Sequence, residues 1–223
     1  MYKICIFDLD GTLLNTLDSI AHFANEALKQ CGYETIPVDD YRYLVGNGVN
    51  RLTHRMMERV LGAGRYSEAD VDRLKDRYNA LYDANPTYGI QPIDGMKETV
   101  ETLHRQGTKL AVLSNKPHFC TSAIINSGFP GLFDLCYGQM PEIPRKPAPD
   151  GALLIADKLG AAPRECLYIG DTDTDMQTGN AAGMDTVGVL WGFRTRRELE
   201  ENHAKYIAQH PQEILKLVDN SKR

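Results

Sequence analysis

The sequence lacks the marks of a membrane protein, a secreted protein or a nucleic-acid-binding protein. No apolar stretch approaches the ~20 residues that a membrane-spanning helix needs, and no charged segment followed by an apolar one suggests a signal peptide. The formal net charge of −5 argues against nucleic acid as a main partner. We therefore expect a cytoplasmic protein that has neither a membrane nor a nucleic acid as its partner.

Cysteine and histidine show no arrangement typical of a zinc or redox site. The five cysteines are an odd number and include no C-x-x-C pair. Cys5, Cys136 and Cys166 fall within apolar runs and are predicted to be reduced core residues. The six histidines are scattered without ligand spacing. With 42% hydrophobic and 25% charged residues, the 223-residue chain has the composition of a globular protein with a full core.

Two aspartates follow the first apolar run of the chain. Ile4 to Phe7 is apolar on both faces, which predicts a buried parallel strand, and Asp8 and Asp10 come directly after it. Ligands of open α/β sheets bind beyond the carboxyl ends of such strands. Two adjacent carboxylates raise each other's pKa unless a cation or a proton relieves the repulsion. Asp and Gly are also common in turns, so this segment alone leaves a simple turn open.

Further polar residues follow three later segments. Ser114 and Asn115 come after an apolar run and before a predicted helix, a setting that suits an anion but equally suits an ordinary helix cap. Lys146 lies in a proline-rich loop, where the alternative is a solvated surface lysine. Asp171 and Asp175 follow another strand-like run, without the glycine and glutamate pattern of an EF-hand. Each signal is weak alone, and their common position after strands makes them strong together.

The order of apolar patterns predicts two domains. Residues 16–88 show helical periodicity, with a capping box at Ser67 to Asp70. The remainder alternates helix and strand, which indicates a parallel sheet with right-handed crossovers. We predict an α/β fold: a Rossmann-like doubly wound parallel sheet core, residues 1–15 and 89–223, with an α-helical cap domain, 16–88, inserted after the first strand.

These motifs resemble those of the haloacid dehalogenase-like hydrolase superfamily over residues 4–190. The family's four motifs correspond, in order, to Asp8-x-Asp10-Gly11-Thr12, Ser114, Lys146 and Gly170-Asp171-x-x-x-Asp175. Within the superfamily the chain is most similar to the phosphoglycolate phosphatase-like branch. The segments that carry this similarity are 45–48, 113–117 and 145–149.

The resemblance implies phosphate monoester hydrolysis with Mg²⁺. Asp8 would attack phosphorus to form an aspartyl-phosphate, and Asp10 would protonate the leaving group and then activate water. Carboxylate oxygens of Asp8 and Asp171 and the backbone carbonyl of Asp10 would bind the metal ion. A small phosphorylated metabolite is the expected partner, and the protein is expected to be a monomer or a homodimer.

The remaining motif residues are expected to bind the phosphoryl group or to support the metal ligands. Ser114, Asn115 and Lys146 would hold phosphoryl oxygens as charge develops on them. Asp175 would orient Asp171 or a metal-bound water without ligating directly.

Substrate selection is expected to depend on the helical domain. Gly46, Asn47 and Gly48 precede a predicted helix, and the glycines would allow close approach of backbone to a small ligand. Arg51 could pair with a carboxylate such as that of 2-phosphoglycolate, or it could simply be an exposed helix residue. The role of the nearby His54 stays open at this stage.

Other activities fit the same motifs. A phosphosugar mutase of the β-phosphoglucomutase type would keep every motif, and a pyrophosphatase or a nucleotidase of the same superfamily is a further alternative. A dehalogenase would need neither the metal nor Asp10, so Asp10 and the acidic fourth motif argue against it. A protein that binds phosphate without catalysis is disfavoured, because nucleophile, acid/base, metal ligand and lysine are all present.

Overall fold

The protein, described over residues 2–220 by a computed structural model, divides into two units. Thr16–Ile90 forms one, which we call the helical unit. The described residues before Thr16 and after Ile90 form the other, which we call the sheet unit. No helix of the described chain combines the length and the apolar character needed to cross a bilayer.

A six-stranded parallel sheet organises the sheet unit. Its strands are β1 Ile4–Phe7, β4 Lys109–Pro117, β5 Leu135–Gln139, β6 Cys166–Gly170, β7 Asp185–Val189 and β8 Tyr206–Ala208. The strand order is β5-β4-β1-β6-β7-β8. The short strands β2 Leu14–Asn15 and β3 Gln91–Pro92 pair antiparallel beside it. The predicted α/β class and parallel sheet are confirmed.

The central strand is buried on both faces, as its uniformly apolar sequence predicts. Every residue of β1 is buried, and β4 and β6 flank it in register. Ile4 and Ile6 join a core cluster with Tyr168 and with Ile155 of the helix that follows Pro149. Cys5 and Phe7 alternate to the opposite face, because successive strand side chains point in opposite directions.

Helices follow or precede each parallel strand of the sheet unit. They are α5 Met96–Arg105, α6 His118–Gly128, α7 Asp150–Lys158, α8 Asp173–Ala181, α9 Arg196–Glu201 and α10 Gln212–Asn220, with a 3₁₀ turn at Pro163–Glu165. The predicted alternation of helix and strand is confirmed.

Helices and 3₁₀ turns account for the regular structure described in the helical unit. They are α1 Leu17–Gln30, a 3₁₀ turn at Val38–Asp40, α2 Tyr41–Leu44, α3 Val49–Leu61 and α4 Glu68–Ala84. The predicted capping box at the start of α4 is present: Asp70 N donates to Ser67 Oγ at 3.3 Å, and Ser67 N donates to Asp70 Oδ2 at 3.0 Å. These two bonds satisfy backbone donors that have no partner within the helix.

One strand is longer than its apolar pattern indicates. The sequence predicts that β4 ends at Leu113, whereas the observed strand continues to Pro117 with an irregular register against β5. Ser114, Asn115 and Lys116 therefore belong to the end of a strand and not to a helix start. Hydrophobic periodicity does not detect this extension, because these side chains are polar and the periodicity reports burial and not backbone pairing.

Candidate active site

The sheet brings the predicted site residues of the sheet unit to one edge. β1 lies between β4 and β6, and Phe7 is level with Val112 and Ile169. Asp8 and Asp171 each follow the last residue of a strand, and Ser114 lies near the same end of β4. Because parallel strands end on the same side, these three groups face one carboxyl edge.

Lys146 joins two of the acidic side chains at this edge. Its Nζ donates to Asp8 Oδ1 at 2.8 Å and to Asp175 Oδ1 at 2.7 Å. The lysine side chain is 4% exposed, and those of Asp8 and Asp175 are 10% and 0% exposed. Water is therefore largely excluded from both ion pairs, which strengthens them relative to surface pairs.

Asn115 fixes the loop that carries Lys146. Its Nδ2 donates to Lys146 O at 3.1 Å, and its Oδ1 accepts from Lys146 N at 3.0 Å. The side-chain amide thus pairs with the lysine backbone from both sides. A direct role of Asn115 in phosphate binding stays a prediction.

Asp171 is held by hydrogen bonds from two separate segments. Thr12 Oγ1 donates to Asp171 Oδ1 at 3.0 Å, and Phe193 N donates to Asp171 Oδ2 at 2.7 Å. Trp191 Nε1 donates to Thr12 O at 3.0 Å, which links the second segment back to the first. The three bonds form a closed ring that fixes the orientation of the carboxylate.

Two glycines allow the backbone to approach Asp171 this closely. Gly11 has a φ of +83°, and a Cβ there would lie 2.5 Å from Asp171 Oδ2. A Cβ on Gly192 would lie 2.2 Å from Asp171 Cβ. Both contacts are shorter than atoms tolerate, so the packing around Asp171 requires glycine at both positions.

Asp175 is fixed at the start of α8. Its Oδ2 accepts from Thr172 N at 3.0 Å and from Thr172 Oγ1 at 2.7 Å, while Oδ1 faces Lys146. Both carboxylate oxygens therefore have partners within the protein. Its predicted supporting role stays a prediction, consistent with these contacts.

Three buried carboxylates share one ammonium at this edge. Ligand oxygens of Asp8, Asp171 and Asp175 all lie within 4.8 Å of one another. Against the single charge of Lys146, this leaves two negative charges without a cation among these four groups. Burial, reinforced by the charge of Asp175 and opposed by Lys146, raises the pKa of Asp8 to about 7.

The same imbalance acts on the other groups of the cluster. Burial, with the charges of Asp175 and Asp8, raises the pKa of Asp171 well above its usual range. Burial disfavours the Lys146 ammonium, but Asp175 and Asp8 outweigh it and raise the pKa of Lys146. A divalent cation with a preference for oxygen ligands would relieve this repulsion. The residues present therefore fit the metal ion that the motifs imply.

Asp10 lies outside this cluster and has its own partner. Lys116 Nζ donates to Asp10 Oδ1 at 2.8 Å. Ser114, a buried residue two positions before Lys116, accepts from Lys116 N through its Oγ at 3.2 Å. The two motif aspartates thus have different lysine partners and different surroundings, which is the condition for dividing two catalytic tasks between two carboxylates.

The predicted specificity residues belong to the helical unit. Gly46 and Gly48 have φ values of +106° and +80°, and Gly48 directly precedes α3. Asn47 lies between these two glycines, and Arg51 is exposed in the first turn of α3. His54 Nε2 lies 3.5 Å from Glu68 Oε2. Their roles in substrate selection stay predictions.

Comparison with known proteins agrees with this geometry. The sequence profile of the haloacid dehalogenase-like hydrolases matches residues 5–189. The chain belongs to the haloacid dehalogenase-like hydrolase family. It is 31% identical to a phosphoglycolate phosphatase of Aquifex aeolicus, with 98% of this chain and 97% of the relative aligned.

Solved structures show the same relationship in three dimensions. This hydrolase superposes on a protein of Lactobacillus delbrueckii subsp. bulgaricus with a TM-score of 0.92 at 30% identity, covering 97% of this chain and 98% of the other. It superposes on a predicted phosphoglycolate phosphatase of Haemophilus somnus with a TM-score of 0.88 at 28% identity, covering 97% of each chain. Both alignments include the sheet and the helical insertion.

Sequence reasoning does not identify three contributors to the site of this hydrolase. Lys116 belongs to one of the segments that carry the family resemblance, but nothing in its spacing connects it with Asp10. Phe193 contributes a backbone N–H, which any residue except proline offers, so its side chain carries no signal. Trp191 is the single tryptophan of the sequence, yet its contact with Thr12 joins segments that are distant along the chain.

The charge imbalance predicts how metal removal and pH affect stability. The pKa of Asp8 is higher in the folded than in the unfolded state, so the folded state binds more protons between about pH 4 and 7. With EDTA present, the free energy of unfolding should therefore fall as pH rises through this range. The free energy of unfolding of Asp8→Asn should fall less steeply with pH, and this variant should be at least as stable as wild type at pH 8. Denaturant titrations followed by the fluorescence of Trp191 measure the free energy of unfolding of both proteins at each pH.

The comparison of wild type with Asp8→Asn has an internal control. Asp72→Asn alters an exposed ion pair with Lys75 in the helical unit and should keep the wild-type pH slope. Equal slopes for wild type and Asp8→Asn would show that Asp8 carries no destabilising charge in the metal-free protein.

Proposed function

We propose that this hydrolase is a Mg²⁺-dependent phosphatase that cleaves small phosphate monoesters through an aspartyl-phosphate on Asp8. The observation that carries the proposal is the pairing of Asp8 with Lys146 at the edge of a buried acidic cluster. The ammonium holds the Asp8 carboxylate in place, and carboxylates of this kind serve as nucleophiles that form covalent intermediates. The names of the relatives favour a phosphoglycolate phosphatase-like activity.

The first half of the proposed reaction forms the covalent intermediate. An oxygen of Asp8 attacks phosphorus, the bond from phosphorus to the bridging oxygen breaks, and the departing alkoxide takes a proton from Asp10. The Lys146 ammonium lies against Asp8, where it would stabilise the charge that develops on the phosphoryl oxygens. The Ser114 hydroxyl would donate a hydrogen bond to the same phosphoryl group.

The second half of the proposed reaction restores the enzyme. Asp10, now ionised, accepts a proton from water, the water oxygen attacks phosphorus, and the bond to Asp8 breaks to release inorganic phosphate. Asp8, Asp171 and the backbone carbonyl of Asp10 would hold Mg²⁺. When bound, the ion would neutralise negative charge on the carboxylates and on the phosphoryl group.

A phosphatase assay with a variant of the nucleophile tests this proposal. Wild type should hydrolyse para-nitrophenyl phosphate with Mg²⁺ and lose activity with EDTA. Asp8→Asn should lose turnover while it keeps its fold, because an amide is a far poorer nucleophile than a carboxylate. Asp72→Asn, which changes an exposed ion pair, should retain wild-type rates. Near-wild-type hydrolysis by Asp8→Asn would contradict the covalent mechanism.

Arg51 tests the proposed substrate class. If this exposed arginine pairs with the carboxylate of the substrate, Arg51→Ala should raise KM for 2-phosphoglycolate far more than KM for para-nitrophenyl phosphate. Arg59→Ala is a matched control, because Arg59 lies on the same helix and pairs with Asp40 at 2.8 Å. Steady-state kinetics on both substrates give the comparison. Equal effects of Arg51→Ala on both would remove Arg51 from the specificity residues.

A further inference from the structure

A second buried lysine, Lys116, accompanies the second motif aspartate. Its ammonium lies 2.8 Å from Asp10 Oδ1, and the side chains of Lys116 and Asp10 are 6% and 19% exposed. An ammonium withdrawn from water to this degree is costly unless an acceptor compensates it. The contact with Asp10 provides such compensation, so this pair differs from the exposed ion pairs on the surface.

The backbone of Lys116 is fixed on both sides of the residue. Its N–H donates to Ser114 Oγ at 3.2 Å, and its carbonyl accepts from Thr121 Oγ1 of α6 at 3.3 Å. Pro117 follows, with a ring that restricts φ. The lysine side chain therefore starts from a constrained point at the end of β4, and its reach to Asp10 is a consequence of strand order.

Asp10 needs such a partner for a precise orientation. The last torsion of an aspartate side chain is broad, because rotation of a carboxylate about an sp³–sp² bond has no narrow minima. The hydrogen bond from Lys116 engages Oδ1, and the described part of the chain gives Oδ2 no hydrogen bond. The ion pair thus restricts the rotation of the carboxylate and leaves one oxygen for another partner.

We propose that Lys116 is a positioning residue for proton transfer by Asp10. It holds the Asp10 carboxyl group by Oδ1. Oδ2, which carries a proton in the first step, can then give that proton to the bridging oxygen of the substrate, and once ionised it can accept a proton from water in the second step. This inference rests on the proposed function, because it assumes that Asp10 serves the leaving group. Lys146 and Lys116 then have separate tasks: the first supports the nucleophile, and the second orients the acid and base.

Substrates whose leaving groups differ in basicity can distinguish a positioning role of Lys116 from a purely structural one. A poor alkoxide leaving group depends on proton donation, whereas para-nitrophenolate departs without it. kcat/KM reports the steps up to departure of the leaving group. Lys116→Met should lower kcat/KM about 10²-fold for 2-phosphoglycolate and for its neutral counterpart 2-hydroxyethyl phosphate, and only a few-fold for para-nitrophenyl phosphate. Lys116→Arg keeps a cation within reach and should recover much of the loss.

A double mutant and a control make the test specific. In an Asp10→Asn background, Lys116→Met should add little further loss, because the group that it positions is already disabled. Lys109→Met is the control, because Lys109 lies on the same strand and pairs with the distant Asp134 at 2.8 Å; it should keep all three kcat/KM values. Thermal melting of each variant verifies that it is folded.

Each alternative outcome overturns a defined part of the inference. Equal losses on all three substrates, or additive losses with Asp10→Asn, would show that Lys116 is structural. A loss confined to 2-phosphoglycolate would show that Lys116 binds the carboxylate of the substrate instead of orienting Asp10. A folded wild type without activity on any of the three would overturn the proposed function, and the role of Lys116 with it.

Discussion

The ammonium of Lys146, buried between Asp8 and Asp175, is the interaction on which the site depends. Three carboxylates with oxygens within 4.8 Å would otherwise repel each other in a region that water hardly reaches. Loss of Lys146 should cost roughly 3–5 kcal/mol, because the buried carboxylates would remain without a compensating charge. A single lysine compensates only part of this charge. The negative charge that remains is what a bound divalent cation would compensate.

The surrounding structure serves to hold these charged groups in place. Asn115 pairs with the backbone of Lys146, Thr172 pairs with Asp175, and the ring of hydrogen bonds around Thr12 and Phe193 fixes Asp171. Asn115 lies at the end of β4 and Thr172 directly precedes α8, whereas Thr12 and Phe193 belong to loops. The parallel sheet supplies rigid starting points for them, and the short loops supply the polar contacts.

Much of the sheet unit could be predicted from the sequence. Ile4 to Phe7 and Cys166 to Ile169 are apolar on both faces, which indicates central parallel strands, and the carboxyl ends of neighbouring parallel strands meet. That rule alone brings Asp8 and Asp171 together. The capping box at Ser67 is equally predictable, because its bonds join residues three positions apart.

The contacts that sequence could not predict are those between distant segments. Asp10 and Lys116 are separated by 106 positions, and Thr12 and Trp191 by 179. Such pairs follow from strand order, from the irregular end of β4 and from lysine side-chain reach, none of which has a local pattern. The bond from Phe193 N uses the backbone alone. The specificity role proposed for Arg51 is equally hard to predict from sequence, because exposed arginines are common on helices.

Proton release on Mg²⁺ binding tests most directly whether the buried carboxylates lack a compensating cation. Because burial and the charge of Asp175 raise the pKa of Asp8 to about 7, a part of the Asp8 carboxyl groups holds a proton near pH 6.5 in the metal-free protein, and the pKa of Asp171 is raised as well. Calorimetric Mg²⁺ titrations in buffers of different ionisation enthalpy count the protons released. We expect net release at pH 6.5 that is reduced in Asp8→Asn. Binding of Mg²⁺ to wild type without proton release would show that the carboxylates are already ionised and compensated before the metal ion binds.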